Sequence, residues 1–428
     1  MKKVLLTACV ALLLAGAARA QAPTVNFAQV GYSTLTTGTT GGAGGTAVTV
    51  STGSALQAAI NGNRSNAPLT IYISGTITPA NSPGLSKIDV KDRNNISIIG
   101  VGTSGEFHGI GIKIWRARNI IVQNLNIHHV NTGDKDCISI EGPSDHIWID
   151  HCELHNQFQG IDQDYYDGLL DAKNNCEYIT YSWNYLHDAW KASLCGFEDT
   201  DNYDRKITYH HNRFENINSR LPLFRFGNGH VFNNYYSGVV STAANSRMGA
   251  CLKIENNAFV NTRNPYVSAY STQDGFGDIV GNQLVNSPFA YSADTRVLRA
   301  CAAVIPYSYA QVLNNAADVA AVVIPNAGVG HLGTVTGTAR PRESQNFRAY
   351  PNPSQGVTSF DFVLPKGGSI SIGLYNMAGV KVAEVLNEPA LSAGLHSTTY
   401  TNPSLAAGLY FCVVKTEQGV YTHKLVLE

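Results

Sequence analysis

The sequence predicts an all-β protein, a right-handed parallel β-helix followed by a small antiparallel β-sandwich. A strand-like unit recurs in the middle of the 428-residue chain, as IIVQNLNIH (120–128), IWIDHCELH (147–155), ITYSWNYLH (179–187) and ITYHHNRFE (207–215). Its period is more than twice the roughly 8 to 12 residues that separate strands in a sandwich, and suits the turns of a parallel solenoid. Only near the C-terminus do brief alternating strands punctuated by Gly and Pro indicate a sandwich.

Four segments follow from these patterns. Lys2 and Lys3 precede an apolar run that ends at the small residues of Ala18-Arg19-Ala20, which is typical of a secretory signal. The run is too short to span a bilayer, so we expect a soluble mature protein that is secreted or held at the cell surface. The predicted segments are a signal peptide at 1–20, the β-helix at 21–333, a linker at 334–347 and the sandwich at 348–428.

Net charge limits the possible partners, and the number of cysteines limits the possible disulfides. Loss of three basic residues with the signal takes the 30 Lys and Arg to 27, against 31 Asp and Glu, a net charge of about −4 that argues against nucleic acid. Seven cysteines remain, so at least one is unpaired unless chains crosslink, and several are equally well explained as small buried hydrophobes. They are Cys137, Cys152, Cys176, Cys195, Cys251, Cys301 and Cys412.

Each repeat places an apolar residue near its end, and stacking of these residues predicts a continuous core. They are Ile127, Leu154, Leu186, Phe214, Tyr236, Phe259 and Leu284, separated by 27, 32, 28, 22, 23 and 25 residues. Polar residues near each corner are expected to stack as a ladder that satisfies the buried backbone at the bend. They are Asn124, His151, Asn184, Asn212, Asn234 and Asn257.

Ahead of the repeats, TGGAGGTAVTV and SALQAAI predict an entry strand and a short helix with Ser54 as its N-cap. This helix would cover the open end of the solenoid.

Four acids are candidates for a metal site. Asp134 and Asp136 are two residues apart and share one side of an extended segment, and Asp167 and Asp171 follow one long turn later. If they converge, their mutual repulsion favours Ca²⁺, which takes about six to eight oxygen ligands. The alternative is that the acids are solvated independently on loops.

Histidines are the competing metal candidates. Adjacent pairs such as His210 and His211 are expected to face opposite sides of a strand, and no HExxH or CxxC spacing occurs. Stacking or surface exposure therefore explains most of them better than zinc or iron. The histidines concerned are His128, His129, His151, His155, His187, His210, His211 and His230.

The segment NSRLPLFRFGNG (218–229) places Arg220 and Arg225 among apolar residues. Positions five apart in a regular strand face opposite sides, but Pro222 cannot join a ladder and re-aims the chain, which allows both guanidinium groups to share one side. The alternative is a surface loop with two solvated arginines.

Together, WIDH (148–151), YDGLLD (166–171), ITYSWNYLHDAWK (179–191), ITYHHNRFEN (207–216) and RLPLFRFG (220–227) resemble the pectate lyases of polysaccharide lyase family 1, in the family's order and over about residues 28–332. The resemblance implies a pectate lyase-like right-handed β-helix that is secreted and cleaves polygalacturonate by β-elimination with Ca²⁺.

The resemblance also implies roles for individual residues. Asp134, Asp136, Asp167 and Asp171 match calcium-binding acids, the third being aspartate where some members have glutamate. Lys191 matches a lysine that contacts the substrate carboxylate. Arg220 matches the catalytic base, and Arg225 a second arginine that binds substrate. These cations and Ca²⁺ would neutralise charge on the galacturonate carboxylate while its C5 proton leaves, giving 4,5-unsaturated ends. Because the reference pKa of arginine exceeds 12, an alkaline optimum is expected.

The C-terminal segment, from YPNP to KLVLE, resembles the type IX secretion sorting domains of Bacteroidetes. This implies contact with the type IX secretion machinery and possible removal of the tail, the alternative being a carbohydrate-binding sandwich. The enzyme is expected to act as a monomer.

Three other functions were weighed against a pectate lyase. A pectin lyase acts on methyl esters, which have less need for calcium, so four potential calcium-binding acids argue against it. A polygalacturonase-type hydrolase would use an acid pair to deliver water. A non-catalytic, polysaccharide-binding surface solenoid is the alternative outside enzymes, since fold does not establish function.

Overall fold

The computed structural model describes residues 25–332, 347–364, 366–375, 381–401, 405–416 and 419–428. The predicted signal peptide lies outside the described residues. So does the predicted linker, apart from Phe347, which begins the first strand of the C-terminal part.

The first part of the chain is built almost entirely from short strands, most of which hold an apolar residue that faces the interior. In chain order the strands are β1 Thr46–Val50, β2 Leu69–Ile77, β3 Ile88–Lys91, β4 Asn94–His108, β5 Ile112–Trp115, β6 Arg118–Gln123, β7 Asn126–His128, β8 Ile138–Glu141, β9 Ser144–Asp150, β10 Glu153–His155, β11 Leu170–Lys173, β12 Cys176–Ser182, β13 Tyr185–Lys191, β14 Leu194–Cys195, β15 Lys206–His210, β16 Arg213–Ser219, β17 Leu223–Arg225, β18 Asn228–Phe232, β19 Tyr235–Ser237, β20 Ala244–Arg247, β21 Cys251–Glu255, β22 Ala258–Val260, β23 Tyr266–Ala269, β24 Phe276–Val280, β25 Gln283–Val285, β26 Thr295–Arg296 and β27 Arg299–Ala300.

These strands form three sheets that run the length of a parallel solenoid, which confirms the predicted β-helix. Sheet A contains β1, β2, β4, β6, β9, β12, β15, β18, β21, β24 and β27. Sheet B contains the C-terminal ends of β2 and β4, then β7, β10, β13, β16, β19, β22 and β25. Sheet C contains β3, β5, β8, β11, β14, β17, β20 and β23, with β26 added antiparallel. Each turn passes from A to B, then through a loop to C.

The apolar positions predicted to stack do so in sheet B. Ile127 pairs with Leu154, and Leu154 pairs with Leu186. The other predicted positions continue in the same register as far as Leu284. The variation in turn length is therefore taken up by loops, and the interior is a continuous core of Ile, Leu, Val and Phe side chains.

A ladder of asparagines, buried except at its last member Asn282, follows the corner between sheets A and B. It consists of Asn184, Asn212, Asn234, Asn257 and Asn282, of which the first four were predicted. Each amide donates to the next side-chain oxygen at 2.9 to 3.0 Å. The prediction is wrong for Asn124 and His151, which lie one position earlier, where left-handed residues (φ 56° and 48°) make the bend. Asparagine suits both positions, because it tolerates positive φ and also pairs as an amide.

We expect Asn234→Ala to lower the free energy of unfolding by about 3 to 5 kcal/mol, because several buried groups would lose partners. The Asn234 Oδ1 accepts from the backbone and side-chain N–H of Asn212 at 3.0 and 2.9 Å, and its amide donates to Tyr209 O at 2.9 Å. Chemical denaturation measures the change. The matched control is Asn228→Ala, which removes an exposed amide hydrogen bond to Asp204 (3.0 Å). Equal losses in the two variants would contradict the ladder's role.

Adjacent histidines do not face opposite sides, so that prediction is wrong. His129 and His211 have φ of 51° and 54°, and this left-handed conformation turns each ring back toward the preceding histidine. The two Nδ1 atoms lie 2.8 Å apart in the pair His128–His129 and 3.0 Å apart in His210–His211. Strand alternation fails here because both pairs span the end of a strand.

His211 should make stability depend on pH. Burial lowers the pKa of His211 to about 4, although its hydrogen bond to Asn314 opposes this. The unfolded chain takes up the proton near pH 6.5, so the unfolding free energy should fall as pH drops from about 6.5 to 4, by about 3 kcal/mol for this group. His211→Asn, which tolerates the backbone conformation and does not titrate, should show a shallower pH slope in thermal melts. An unchanged slope would contradict this origin.

Helices are few. The helix α1 (Gly53–Gly62) lies against the first strands and buries Leu56 and Ile60 completely, as expected of a cover for the end of the solenoid. Its N-cap is Thr52, whose hydroxyl accepts from Ala55 N, and not Ser54, which lies within the first turn. The helix α2 (Val319–Val323) and the 3₁₀ turns Tyr32–Thr34, Pro79–Asn81 and Ala316–Asp318 complete the set. No helix in the described part of the chain has the length and apolar character to cross a membrane.

Residues 31–42, which we call the strap, run across sheet A instead of along its strands. Backbone N–H groups of Tyr32 and Ser33 donate to Thr208 (3.0 Å) and Thr180 (3.2 Å). At the other end, the N–H of Gly42 donates to Ser97 at 2.9 Å. The strap therefore bonds to strands from β15 back to β4.

At least one cysteine must stay unpaired because seven follow the predicted signal peptide. Cys251 and Cys301 form a disulfide. The five others among the described residues are buried and free, as expected of small hydrophobic side chains. Burial raises the pKa of Cys152 to about 12, which keeps its thiol protonated and unreactive.

The C-terminal part is an antiparallel sandwich, as predicted. Its strands are β28 Phe347–Tyr350, β29 Val357–Leu364, β30 Gly368–Tyr375, β31 Lys381–Leu391, β32 Gly394–Thr401, β33 Gly408–Thr416 and β34 Gly419–Leu427. The sheets are β28-β29-β32 and β31-β30-β33-β34. Phe360 from the first sheet and Ile372 from the second share one buried core.

Candidate active site

All seven residues predicted to form a site lie in the connections from sheet B to sheet C or on the strands that flank them. Successive turns stack, so these connections are neighbours in space. Two acids precede β8, one precedes β11 and one is on it, the lysine ends β13, and the arginines precede and end β17. They are Asp134, Asp136, Asp167, Asp171, Lys191, Arg220 and Arg225.

Two of the acids are buried and share one lysine. The Lys173 Nζ lies 2.6 Å from Asp136 Oδ2 and 3.3 Å from Asp171 Oδ2. Backbone N–H groups of Gly168 and Leu194 donate to Asp136 Oδ1 and Asp171 Oδ1, both at 2.9 Å. The stacking of β8, β11 and β14 thus brings the two carboxylates together.

The charge of this pair is not balanced by the protein. Burial, followed by the charge of Asp171, raises the pKa of Asp136 to about 7. Burial also raises the pKa of Asp171, although the Lys173 ammonium opposes the shift and nearby Asp167 adds to it. The Asp171 Oδ2 is buried and accepts no hydrogen bond from the described residues. This all-oxygen donor set, short of positive charge, fits a hard cation such as Ca²⁺.

Asp134 is in a different position, because the protein supplies its counter-charges. Its two carboxylate oxygens lie 2.9 Å from Lys87 Nζ and 3.0 Å from Lys113 Nζ. Burial opposes the effect of these lysines, but their hydrogen bonds hold the pKa of Asp134 below its ordinary value. Asp134 and Asp136 nevertheless line the same small pocket.

A polar cleft of about 200 Å³ lies beside the acids and is lined by Lys191, Arg220 and five other residues. The Lys191 Nζ lies 2.6 Å from Asp164 and 3.1 Å from Asp167. The Arg220 Nη1 is 4.0 Å from Asp167. Lys191 pairs in register with Ser219, the residue before Arg220, so stacking of β13 on β16 holds the two cations at one wall of the cleft.

The backbone conformation at Arg220 sets the orientation of its side chain. The strand β16 ends at Ser219, and Arg220 follows with a left-handed φ of 68° before the fully buried Leu221 anchors the chain again. The turn therefore starts at the arginine itself, ahead of Pro222. A side chain at such a turn projects from the sheet and is 27% exposed here, which leaves it accessible from the cleft.

Arg225 lies within a second charged group. Its Nε is 2.8 Å from Asp199 Oδ1, and its guanidinium also donates to Gly196 O at 2.8 Å. Arg247 is its neighbour in register on β20 and lies 4.0 Å from the same carboxylate. Burial, then the charge of Arg225, lowers the pKa of Arg247 to about 10. One aspartate is thus shared by two arginines.

Sequence reasoning missed Lys173, Asp199 and Arg247. Arg247 follows Arg225 by 22 residues, the spacing of the repeat at that point, so extending the register could have found it. Lys173 is two residues after Asp171 and shares its face of β11, which is also a readable signal. Asp199 lies in an irregular loop, and nothing in its local sequence marks it.

Comparison with known proteins decides the family. Residues 1–332 match the family model described as pectate lyase. The chain belongs to the pectate lyase family. Its lyase activity resides in the solenoid, which is the part that matches, whereas residues 348–428 match a secretion system C-terminal sorting domain.

Individual pectate lyases are similar over the same region. A pectate trisaccharide-lyase of Bacillus licheniformis is 51% identical over 310 residues, which cover 72% of this chain and 89% of that protein. Pectate lyase A of Aspergillus niger is 37% identical, over 72% of this chain and 90% of its own length.

Two solved pectate lyases share the fold. The structure of the enzyme from Bacillus sp. N165 in complex with trigalacturonate aligns with a TM-score of 0.66 at 43% identity, and covers 72% of this chain and 100% of that one. Pectate lyase C from Erwinia chrysanthemi, studied at pH 9.5 with Ca²⁺, aligns with a TM-score of 0.63 at 26% identity, and covers 73% and 99%.

Proposed function

We propose that this member of the family is a secreted, calcium-dependent pectate lyase that cleaves α-1,4-linked polygalacturonate by β-elimination. The observation that carries the proposal is the juxtaposition of a cationic cleft, with Lys191 and Arg220 on its wall, and buried acids whose negative charge is not balanced. The trigalacturonate complex of the Bacillus sp. N165 enzyme and the Ca²⁺ used with pectate lyase C support this choice of substrate and ion.

In this proposal the ion is held by the four predicted acids, Asp136 and Asp171 as they stand, and Asp134 and Asp167 once the ion displaces the lysines now paired with them. Bound Ca²⁺ would supply positive charge beside a galacturonate carboxylate and so favour loss of the neighbouring C5 proton. Lys191, and Arg225 once substrate competes with Asp199, would bind the same carboxylate and hold the sugar ring in place. The charges of these side chains stabilise developing negative charge most strongly where the cleft excludes water.

Arg220 is proposed as the base. In its neutral form it would accept the C5 proton, the C5–H electron pair would form the C4=C5 double bond, and the C4–O4 bonding pair would leave with O4. The departing oxygen takes a proton from water, and the resulting hydroxide removes the proton from Arg220, which restores the neutral base. The product would carry a 4,5-unsaturated non-reducing end. No hydrolytic water is consumed in the cleavage step, which distinguishes this route from that of a glycosidase.

Export is part of the proposal. The C-terminal match to a secretion sorting domain supports contact with the type IX machinery, followed by removal of the sandwich. Mass spectrometry of protein recovered outside cells tests this: a C-terminus near residue 345 is expected, and a full-length C-terminus at Glu428 would contradict cleavage.

The deciding assay uses polygalacturonate and highly esterified pectin, each with and without EDTA, followed by absorbance at about 235 nm, where unsaturated ends absorb. Rapid, EDTA-sensitive absorbance on polygalacturonate is expected. Saturated products would indicate hydrolysis, and EDTA-insensitive action on esterified pectin would indicate a pectin lyase. Product sizing then separates release of trisaccharides, the activity named for the B. licheniformis relative, from random internal cleavage.

A further inference from the structure

The outer face of sheet B carries a row of stacked imidazoles that the lyase reaction does not use. His108, His128, His155 and His187 come from four successive turns and pair in register. Their ring centroids are 4.8, 4.7 and 4.5 Å apart along the row. Stacking by itself requires no carboxylates, yet acids flank both ends of the row.

One group within this row brings three potential metal ligands close together. Glu153 and His155 are two apart on β10 and so share a face, and His187 lies on the adjacent strand β13, directly opposite His155. One potential ligand atom from each of the three lies within 4.8 Å of the other two. His187 Nε2 and Glu153 Oε1 are 3.4 Å apart, close to the roughly 3.3 Å between neighbouring ligand atoms around tetrahedral zinc.

The surroundings of His187 are those of a metal-binding histidine. Its Nδ1 is hydrogen-bonded to Asp188 Oδ2 at 2.6 Å, which fixes the ring and leaves Nε2 directed toward Glu153. The Asp188 carboxylate is itself held by the side-chain amide of Asn216. A carboxylate on the far nitrogen is the usual partner of an imidazole that binds a metal.

His155 provides the second nitrogen. Its ring stacks on that of His187 at an interplanar angle of 14°, so one of the two rings must turn out of the stack before both can direct a nitrogen at one ion. Among the described residues the His155 ring makes no side-chain hydrogen bond that would oppose this turn. The other group of potential ligands on this face is less suitable. In that group His108 is exposed, and His128 Nε2 is held at 2.9 Å by Glu106, closer than the 3.4 Å between His187 Nε2 and Glu153.

We propose that Glu153, His155 and His187 bind a transition-metal ion of the Zn²⁺ class, with the fourth position open to solvent. Two imidazoles and one carboxylate form a donor set that zinc accepts, whereas Ca²⁺ takes oxygen ligands almost exclusively. The site is therefore chemically distinct from the acid cluster at Asp136 and Asp171. It revises, for His155 and His187, the expectation that stacking or surface exposure explains most of the histidines better than zinc or iron.

Calorimetric titration of Zn²⁺ into the full chain, stripped with EDTA and then given excess Ca²⁺, tests the proposal. One Zn²⁺ per chain is expected. His187→Gln and Glu153→Gln should each weaken binding at least about tenfold, and Asp188→Asn by about 10- to 100-fold through loss of ligand orientation. Thermal melts of each variant confirm that it is folded.

The matched control is His128→Gln, which removes another imidazole of the same row but no proposed ligand, and it should bind Zn²⁺ like the wild type. Co²⁺ in place of Zn²⁺ should give visible absorbance that is lost in folded His187→Gln and retained in His128→Gln. No Zn²⁺ binding by the wild type, or equal loss in His128→Gln and His187→Gln, would overturn the proposal.

Discussion

Arg220→Ala and Arg220→Lys should each lower kcat on polygalacturonate by about 10³-fold, within the range for loss of a general base. Lysine keeps the charge but not the reach or the planar guanidinium, so it should not rescue the rate. The calcium-dependent shift in Tm should persist, because Arg220 is not a proposed ligand, although it lies 4.0 Å from Asp167 and its charge also acts on Asp171. Absorbance of unsaturated products and thermal melts provide the two measurements.

The control for this experiment is Arg116→Lys, which alters an exposed arginine paired with Asp92 at the turn after β5. It should leave kcat unchanged. If either Arg220 variant retains a tenth of the wild-type rate while Arg116→Lys behaves as expected, Arg220 is not the base.

Asp171→Asn should abolish the response to calcium and lower kcat/KM by at least about 100-fold. Asp171 is fully buried, and the amide should lose the ion and the 3.3 Å ion pair with Lys173, while Lys173 keeps its closer partner Asp136 at 2.6 Å. In EDTA the variant should melt no lower than the wild type. The reason is that burial raises the pKa of Asp171, which means that the folded protein disfavours its charge and tolerates a neutral isostere.

Two measurements check this prediction, the Tm with Ca²⁺ and with EDTA, and the initial rate as Ca²⁺ is raised. Asp92→Asn is the matched control, since it neutralises an exposed aspartate beside Arg116. A wild-type calcium response in Asp171→Asn would remove this residue from the proposed ligand set.

The repeat register was readable from sequence, because interior positions must be apolar on every turn. The positions from Ile127 to Phe259 follow from that requirement alone, whereas Leu284 keeps the register at the end of sheet B but is 39% exposed. The corner could be predicted only in part, because Asn suits both the ladder and the left-handed position before it. Asn124 and His151 occupy that left-handed position and were wrongly predicted to belong to the ladder. The presence of a polar residue does not show which backbone φ that residue adopts.

The candidate site, too, could be predicted from the sequence only in part. The acids and arginines could be assigned through resemblance to a family, and stacking of the turns brings most of them together. Lys173 and Arg247 were missed because their roles arise from pairing between turns, which local sequence does not display. The contact of His128 with His129 was missed because one left-handed residue overrides strand alternation.

The strap has a consequence for how the molecule comes apart. A solenoid whose turns touch only their nearest neighbours can lose them one after another from an end. Here Tyr32 and Ser33 are tied to positions 176 and 147 residues away, so no rung between β4 and β15 can peel off without breaking bonds to the others. The turns from β4 to β15 should therefore melt as one cooperative unit, braced by the N-terminal segment that crosses them.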